Sequence, residues 1–297
     1  MTGFFVCKKL LTLQNLSRVF TLQPFCCTIN LYGKQKKTLT YRLLYPLVRL
    51  FFKKQTILYK QPVPQDEPVV FVCNHAQAVG PMSIVLNFDQ KVRPWIAADV
   101  MFKETAPDFV FVQFFSGNIK KHKRWNMFKS KLVAKILVNI FSNVGGIPVY
   151  FDRRLVKTLS QSADILAGGE NIVIFGETPK RFSKFVAEIS DGCVQVANSY
   201  YKKTGKNLKF YPVYTAPKYI TVGEPTVFDG TAPVKDERRR VAEYLRDNMH
   251  QLASELPPFE PIPTYTEEYF AAIEKQEAER QAQAEQNRAN LQNNDNQ

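Results

Sequence analysis

No aspartate or glutamate occurs before Asp66, although the same 65 residues carry 11 lysines and arginines. That absence accounts for almost the whole formal charge of +13. The rest of the chain holds 40 − 11 = 29 basic residues against 27 acidic ones, a net of only +2. The excess is therefore a property of one segment, and no nucleic-acid reader motif accompanies it. No apolar run reaches the roughly 18 to 20 residues that a spanning helix needs. The nearest approach, residues 132–151, is broken by Lys135, Asn139, Asn143, Gly145, Gly146 and Pro148. The five cysteines (Cys7, Cys26, Cys27, Cys73, Cys193) show neither metal-type nor redox-type spacing, which favours a reducing compartment and offers no thiolate metal site. Cys26-Cys27 beside basic residues are open to acylation, but two ordinary thiols are the simpler reading. There is no internal repeat.

What the acid-poor segment does contain is apolar and aromatic. In YRLLYPLVRLFFKKQTILYK, residues 41–60, leucines and phenylalanines alternate with Arg42, Arg49, Lys53 and Lys54, and Pro46 would kink a helix. A stretch of this kind suits an anionic bilayer surface, where each cation contributes about 1 kcal/mol. A helix docked on the protein's own core is the plainer alternative. Residues 38–65 are accordingly expected to be an amphipathic, membrane-associating segment, and the protein to sit peripherally on the cytoplasmic membrane face. Residues 1–37 are expected to be a basic extension, or sequence upstream of the native start.

From residue 66 to about 260, apolar strand patterns alternate with helical ones. Strands are expected at 69–73, 93–97, 146–151, 171–175, 208–214 and 219–222, and helices at 127–141, 156–167, 187–201 and 234–256. Gly168-Gly169 marks a helix stop before the strand NIVIF. Such alternation predicts an α/β domain with a mixed sheet flanked by helices, whose chemistry sits in the loops leaving the strands. Beyond residue 261 the chain loses glycine and proline after the cluster PPFEPIP, and a helical or disordered tail is expected to Gln297.

Four stretches carry residues suited to chemistry. Asn74-His75 ends the first strand in VCNHAQAVGPM. GGIPVYFDRR, residues 145–154, closes on Arg153 and Arg154. IVIFGETPKR, residues 172–181, carries Glu177, Lys180 and Arg181, and FYPVYTAPKYITVGEP supplies a strand pair ending in Gly-Glu-Pro. A base and four cations suit a reaction on a hydroxyl borne by a phosphate-bearing molecule. Each has a bland counterpart: a structural histidine, a solvated arginine pair, a glutamate that caps backbone. His122 and His250 are read as surface residues.

This order and spacing resemble the glycerolipid acyltransferases typified by 1-acyl-glycerol-3-phosphate acyltransferase. That family has His followed by four residues and Asp, then Gly-x-Ile-Pro-Val…Arg. Phe-Pro-Glu-Gly-Thr-Arg and Val-Pro-Val…Ile-Gly-x-Pro follow. The match spans about residues 40–225. The resemblance implies acyl transfer from a thioester, acyl-CoA or acyl carrier protein, to the hydroxyl of a lysophospholipid-like acceptor, with no further cofactor and no metal. It makes His75 the general base, Arg153, Arg154, Lys180 and Arg181 the acceptor-phosphate ligands, and Asn74, Gly80 and Glu177 supporting residues. The sequence departs from the family at Gly80, where the motif has Asp, and at Gly176, Thr178 and Pro179. An Asp behind a catalytic His orients the ring; loss of its function lowers serine-protease turnover by about 10⁴-fold. Asp89, Asp99, Asp152 and Glu177 are the candidates to replace it. The alternative reading is a catalytically impaired relative that binds lipid at the membrane surface.

Overall fold

The structure is a computed structural model, and it describes residues 38, 42, 46, 49, 52–77, 79–111, 123–178, 180, 184–264, 270 and 274. Residues 1–37, Cys26-Cys27, His122, Arg181 and most of 41–51 and 265–297 lie outside the described residues. Eight strands are found among those described: β1 (Thr56–Tyr59), β2 (Val69–Cys73), β3 (Val92–Ala97), β4 (Ile147–Val149), β5 (Asn171–Phe175), β6 (Leu208–Thr215), β7 (Tyr219–Val222) and β8 (Thr226–Phe228). They form one sheet in the order β1-β7-β6-β2-β5-β3-β4, with β8 paired to β6. The pairings are parallel except β6–β7 and β6–β8. Seven helices with described bounds accompany them: α1 (Val79–Asn87), α2 (Ala98–Met101), α3 (Ala106–Val110), α4 (Lys123–Asn143), α5 (Leu155–Ala167), α6 (Asp191–Thr204) and α7 (Val234–Ser254).

The central strand explains the architecture. VVFVC in β2 is buried at all five positions, the pattern of a parallel strand covered on both faces. Its side chains alternate. Val70 and Val72 join Ile172 and Ile174 in a core completed by Ile165 and Leu166 of α5, Val194 and Val196 of α6, and Leu245 and Met249 of α7. Val69, Phe71 and Cys73 face the other way, against Ile84 of α1, Tyr211 and Val213. Each fully buried Val or Phe contributes roughly 1.5–3 kcal/mol, so a one-residue register slip in β2 would forfeit both cores. Gly168 caps α5 and Gly169 takes φ +82°, so the helix stops where the glycine pair indicated.

Several boundaries differ from the sequence pattern: the helix expected over 127–141 runs Lys123–Asn143, the strand expected over 146–151 is confined to Ile147–Val149, and two further differences have a visible cause. Thr56–Tyr59 is a strand, paired in parallel with β7 through Thr56↔Tyr219 to Tyr59↔Val222, and not the end of an amphipathic helical segment. TILY alternates exposed and half-buried positions, a period of two that the flanking cations obscured. Gln55 is buried and donates to Ala216 O at 2.7 Å, so the α/β domain starts before residue 66. The helix expected over 187–201 starts at Asp191, because the Ser190 hydroxyl accepts from Gly192 N at 3.2 Å and caps it there. No described helix is long and apolar enough to cross a membrane.

Candidate functional site

The register of β2, β5 and β6 puts Cys73 level with Phe175 and Val213. Two residues further on, His75, Glu177 and Thr215 therefore leave the same edge of the sheet side by side. Asn74 is the clamp. It is 2% exposed, donates to Thr215 O at 3.1 Å and accepts from Thr215 N at 2.7 Å and Thr215 Oγ1 at 3.0 Å. A buried amide with three such bonds holds the start of the loop as firmly as the strand before it.

Glu177 holds the next residue. Its Oε1 accepts the backbone N–H of His75 at 2.9 Å, and its Oε2 accepts that of Ala187 at 3.3 Å. Burial pushes the carboxyl above its ordinary value, against the opposing pull of the Thr264 hydroxyl and the two N–H groups. Thr264 Oγ1 also accepts from Ala76 N at 3.1 Å and is itself buried. Neither Thr215 nor Thr264 carries a sequence signal; both are known only from the fold.

The imidazole of His75 sits edge-on to Phe175, 5.6 Å between centroids. Its Nδ1 is buried and has no hydrogen-bond partner among the described residues. Backbone groups of Gln77 and His75 favour its protonation slightly, but desolvation prevails and pushes its pKa below 6.5. Burial thus favours the neutral ring. The four acids that could have replaced the motif Asp are engaged elsewhere or face another group. Asp89 accepts from the Tyr59 hydroxyl, Asp152 is ion-paired with Arg154, Asp99 acts on Arg154, and Glu177 serves backbone.

The chain reaches Gly80 through a tight loop. Ala76 and Gln77 both take left-handed backbone, φ 43° and 57°, and Gly80 N donates to His75 O at 3.1 Å. A β-carbon at Gly80 would lie 2.3 Å from Asn74 O and 2.6 Å from His75 O. The position of the motif Asp is thus filled by main chain.

The cations are less convergent. β4 ends on the same edge, but three strand spacings from β2, about 14 Å away. There Arg154 stacks over Tyr150 at 4.6 Å and pairs with Asp152 at 2.7 Å, both partners exposed. Arg153, also exposed, makes no hydrogen bond or ion pair among the described residues. Lys180 pairs with Glu188, and Arg181 lies outside the described residues. A broad polar cleft of about 960 Å³ opens at the opposite edge of the sheet, around Val92, Arg93 and Asn171. It adjoins the N-terminal ends of β3 and β5, away from His75, and contributes nothing to this site.

No protein-family model matches the chain, and no curated protein matches it. Among solved structures, the chain is similar to the 1-acyl-sn-glycerophosphate acyltransferase PlsC from Thermotoga maritima. The TM-score is 0.44 at 12% identity, over 72% of this chain and 78% of that one.

Proposed function

We propose that the protein is an acyltransferase-like protein of glycerolipid metabolism, with His75 as its base. The reading rests on one arrangement: a neutral imidazole at the end of β2, its backbone held by buried Glu177, on the sheet edge that also bears Arg153 and Arg154. The motif order in the sequence supports it. In this reaction His75 takes the proton of a lysophospholipid-like hydroxyl, and the alkoxide attacks the thioester carbonyl of acyl-CoA or acyl carrier protein. The thiolate departs and the imidazolium returns its proton to it. Arg153 and Arg154 would receive the acceptor phosphate, Arg154 by exchanging Asp152 for it. Attachment to the cytoplasmic membrane face through the segment around 41–60 would bring the acceptor within reach.

A second reading, lipid binding without turnover, is favoured by the unpartnered Nδ1. A base working through Nε2 must carry its proton on Nδ1, which makes no hydrogen bond among the described residues. Stranding a buried N–H costs about 1–3 kcal/mol, and that favours the opposite tautomer. Incubating the full chain with labelled acyl-CoA or acyl carrier protein and a panel of lysophospholipids separates the two. Slow product formation that disappears in His75→Ala supports transfer. Equal yields from both proteins remove His75 from the chemistry. Lysophospholipid binding with no product in either assigns the second reading.

A further inference from the structure

We infer that the outward face of α4 is a docking surface for an anionic lipid bilayer. The helix runs KRWNMFKSKLVAKILVNIFSN and has two apolar faces. One is spent: Ser130, Ala134 and Val138 are buried, and the two apolar ones pack with Ala106 and Val110 of α3. The other is open. Trp125 and Phe128 are each 58% exposed and Leu132 57%, at a spacing of three and four residues that puts them on one stripe. Large apolar side chains left in water as a contiguous stripe mark a contact surface.

Charge decides the occupant. Lys123, Arg124, Lys129, Lys131 and Lys135 lie on this helix, and it carries no acid. Arg124, Lys131 and Lys135 are exposed beside the stripe, and Lys129 lies over the Trp125 ring at 5.7 Å. An indole and a phenyl ring rimmed by lysines are the composition of a helix lying in a headgroup layer. The rings stack on each other, 5.6 Å apart at 16°, and are not splayed to receive nucleobases. The acid-free N-terminal segment adjoins the same helix, since Thr38 N donates to Asn143 Oδ1 at 2.7 Å and Thr38 Oγ1 to Asn139 Oδ1 at 2.9 Å. This surface is distinct from the His75 site and stands whether or not that site turns over.

The chain has two tryptophans, and the other, Trp95, is half-buried with its indole N–H on Ser162 at 2.9 Å. Fluorescence of the full chain can therefore be compared with that of Trp125→Phe, a change at an exposed position. With vesicles of phosphatidylcholine and 30% phosphatidylglycerol (about one anionic lipid in three), native protein should blue-shift and be quenched by brominated acyl chains. Trp125→Phe should show neither. Lys131→Glu with Lys135→Glu should weaken partitioning at least about 25-fold, fivefold per lysine lost. Vesicle binding that leaves Trp125 unquenched would confine contact to other segments and overturn the inference. So would a lipid-free blue shift that grows with protein concentration, which assigns the face to a second copy. The same shift with a single-stranded RNA and not with vesicles would overturn it too.

Discussion

The missing side chain of Gly80 is replaced by the carbonyl of Asn74: a β-carbon there would approach that oxygen to 2.3 Å. Gly80 is therefore fixed by backbone packing. The loop leaves no room for a side chain at Gly80, and its two left-handed residues make this close approach geometrically possible.

Restoring the motif should consequently fail. Gly80→Asp is expected to destabilise the fold by at least about 2 kcal/mol, since main chain cannot step aside as a flexible side chain can. Gly80→Ala is the control. In an ordinary helix it would gain about 1 kcal/mol, and here it should lose stability. Urea midpoints for the three proteins check both, and a Gly80→Ala variant as stable as native would show that the loop yields.

Stability should depend on pH through His75. Its folded-state pKa lies below the unfolded value of about 6.5, so the unfolded chain binds more protons in the window between them. Stability is present above pH 6.5 and falls as pH drops through that window. Glu177 has the opposite sign: its raised carboxyl pKa makes stability fall as pH rises from about 4.5 toward the folded value. Urea titrations at pH 7.5 and 5.5 should show a loss on acidification that shrinks in His75→Gln.

Glu177 acts through its oxygens on backbone, which separates its shape from its charge. Glu177→Gln keeps an acceptor for His75 N and removes a desolvated charge but leaves Ala187 N without one, so its cost should be about 1–2 kcal/mol. Glu177→Ala strands the N–H groups of His75 and Ala187 and should cost about 2–4 kcal/mol. Thermal unfolding of the two variants tests the ranking; equal losses would point to the charge.

Gln77 is half-buried in left-handed backbone, a conformation that costs a non-glycine residue about 1–2 kcal/mol. Gln77→Gly relieves this and gives back roughly 0.5–1 kcal/mol in unfolded-state entropy. A net gain of up to about 1 kcal/mol in chemical denaturation is expected.

The central strands were legible because their signal is local. VVFVC, NIVIF and YITV are short apolar runs bounded by polar residues, and each forms a strand over the expected residues. Glu177 and His75 were legible as strand-end residues for the same reason. α1 was not, because VGPMSIVLN holds a glycine and a proline in its first turn and shows no clean helical period. β1 was hidden inside a basic, apolar stretch whose composition suggested a membrane helix.

By itself, then, the order of residues determined the α/β alternation, the doubly covered central strands and which loops leave their ends, since hydrophobic period and punctuation are encoded within ten or so neighbours. Tertiary structure alone decided what those loop residues touch. Asn74 meets Thr215 141 positions away, Ala76 meets Thr264 188 positions away, and Gly80 lies against main chain. These contacts depend on strand register and loop closure, which no local pattern encodes. They leave His75 oriented through its backbone, with Nδ1 unpartnered among the described residues.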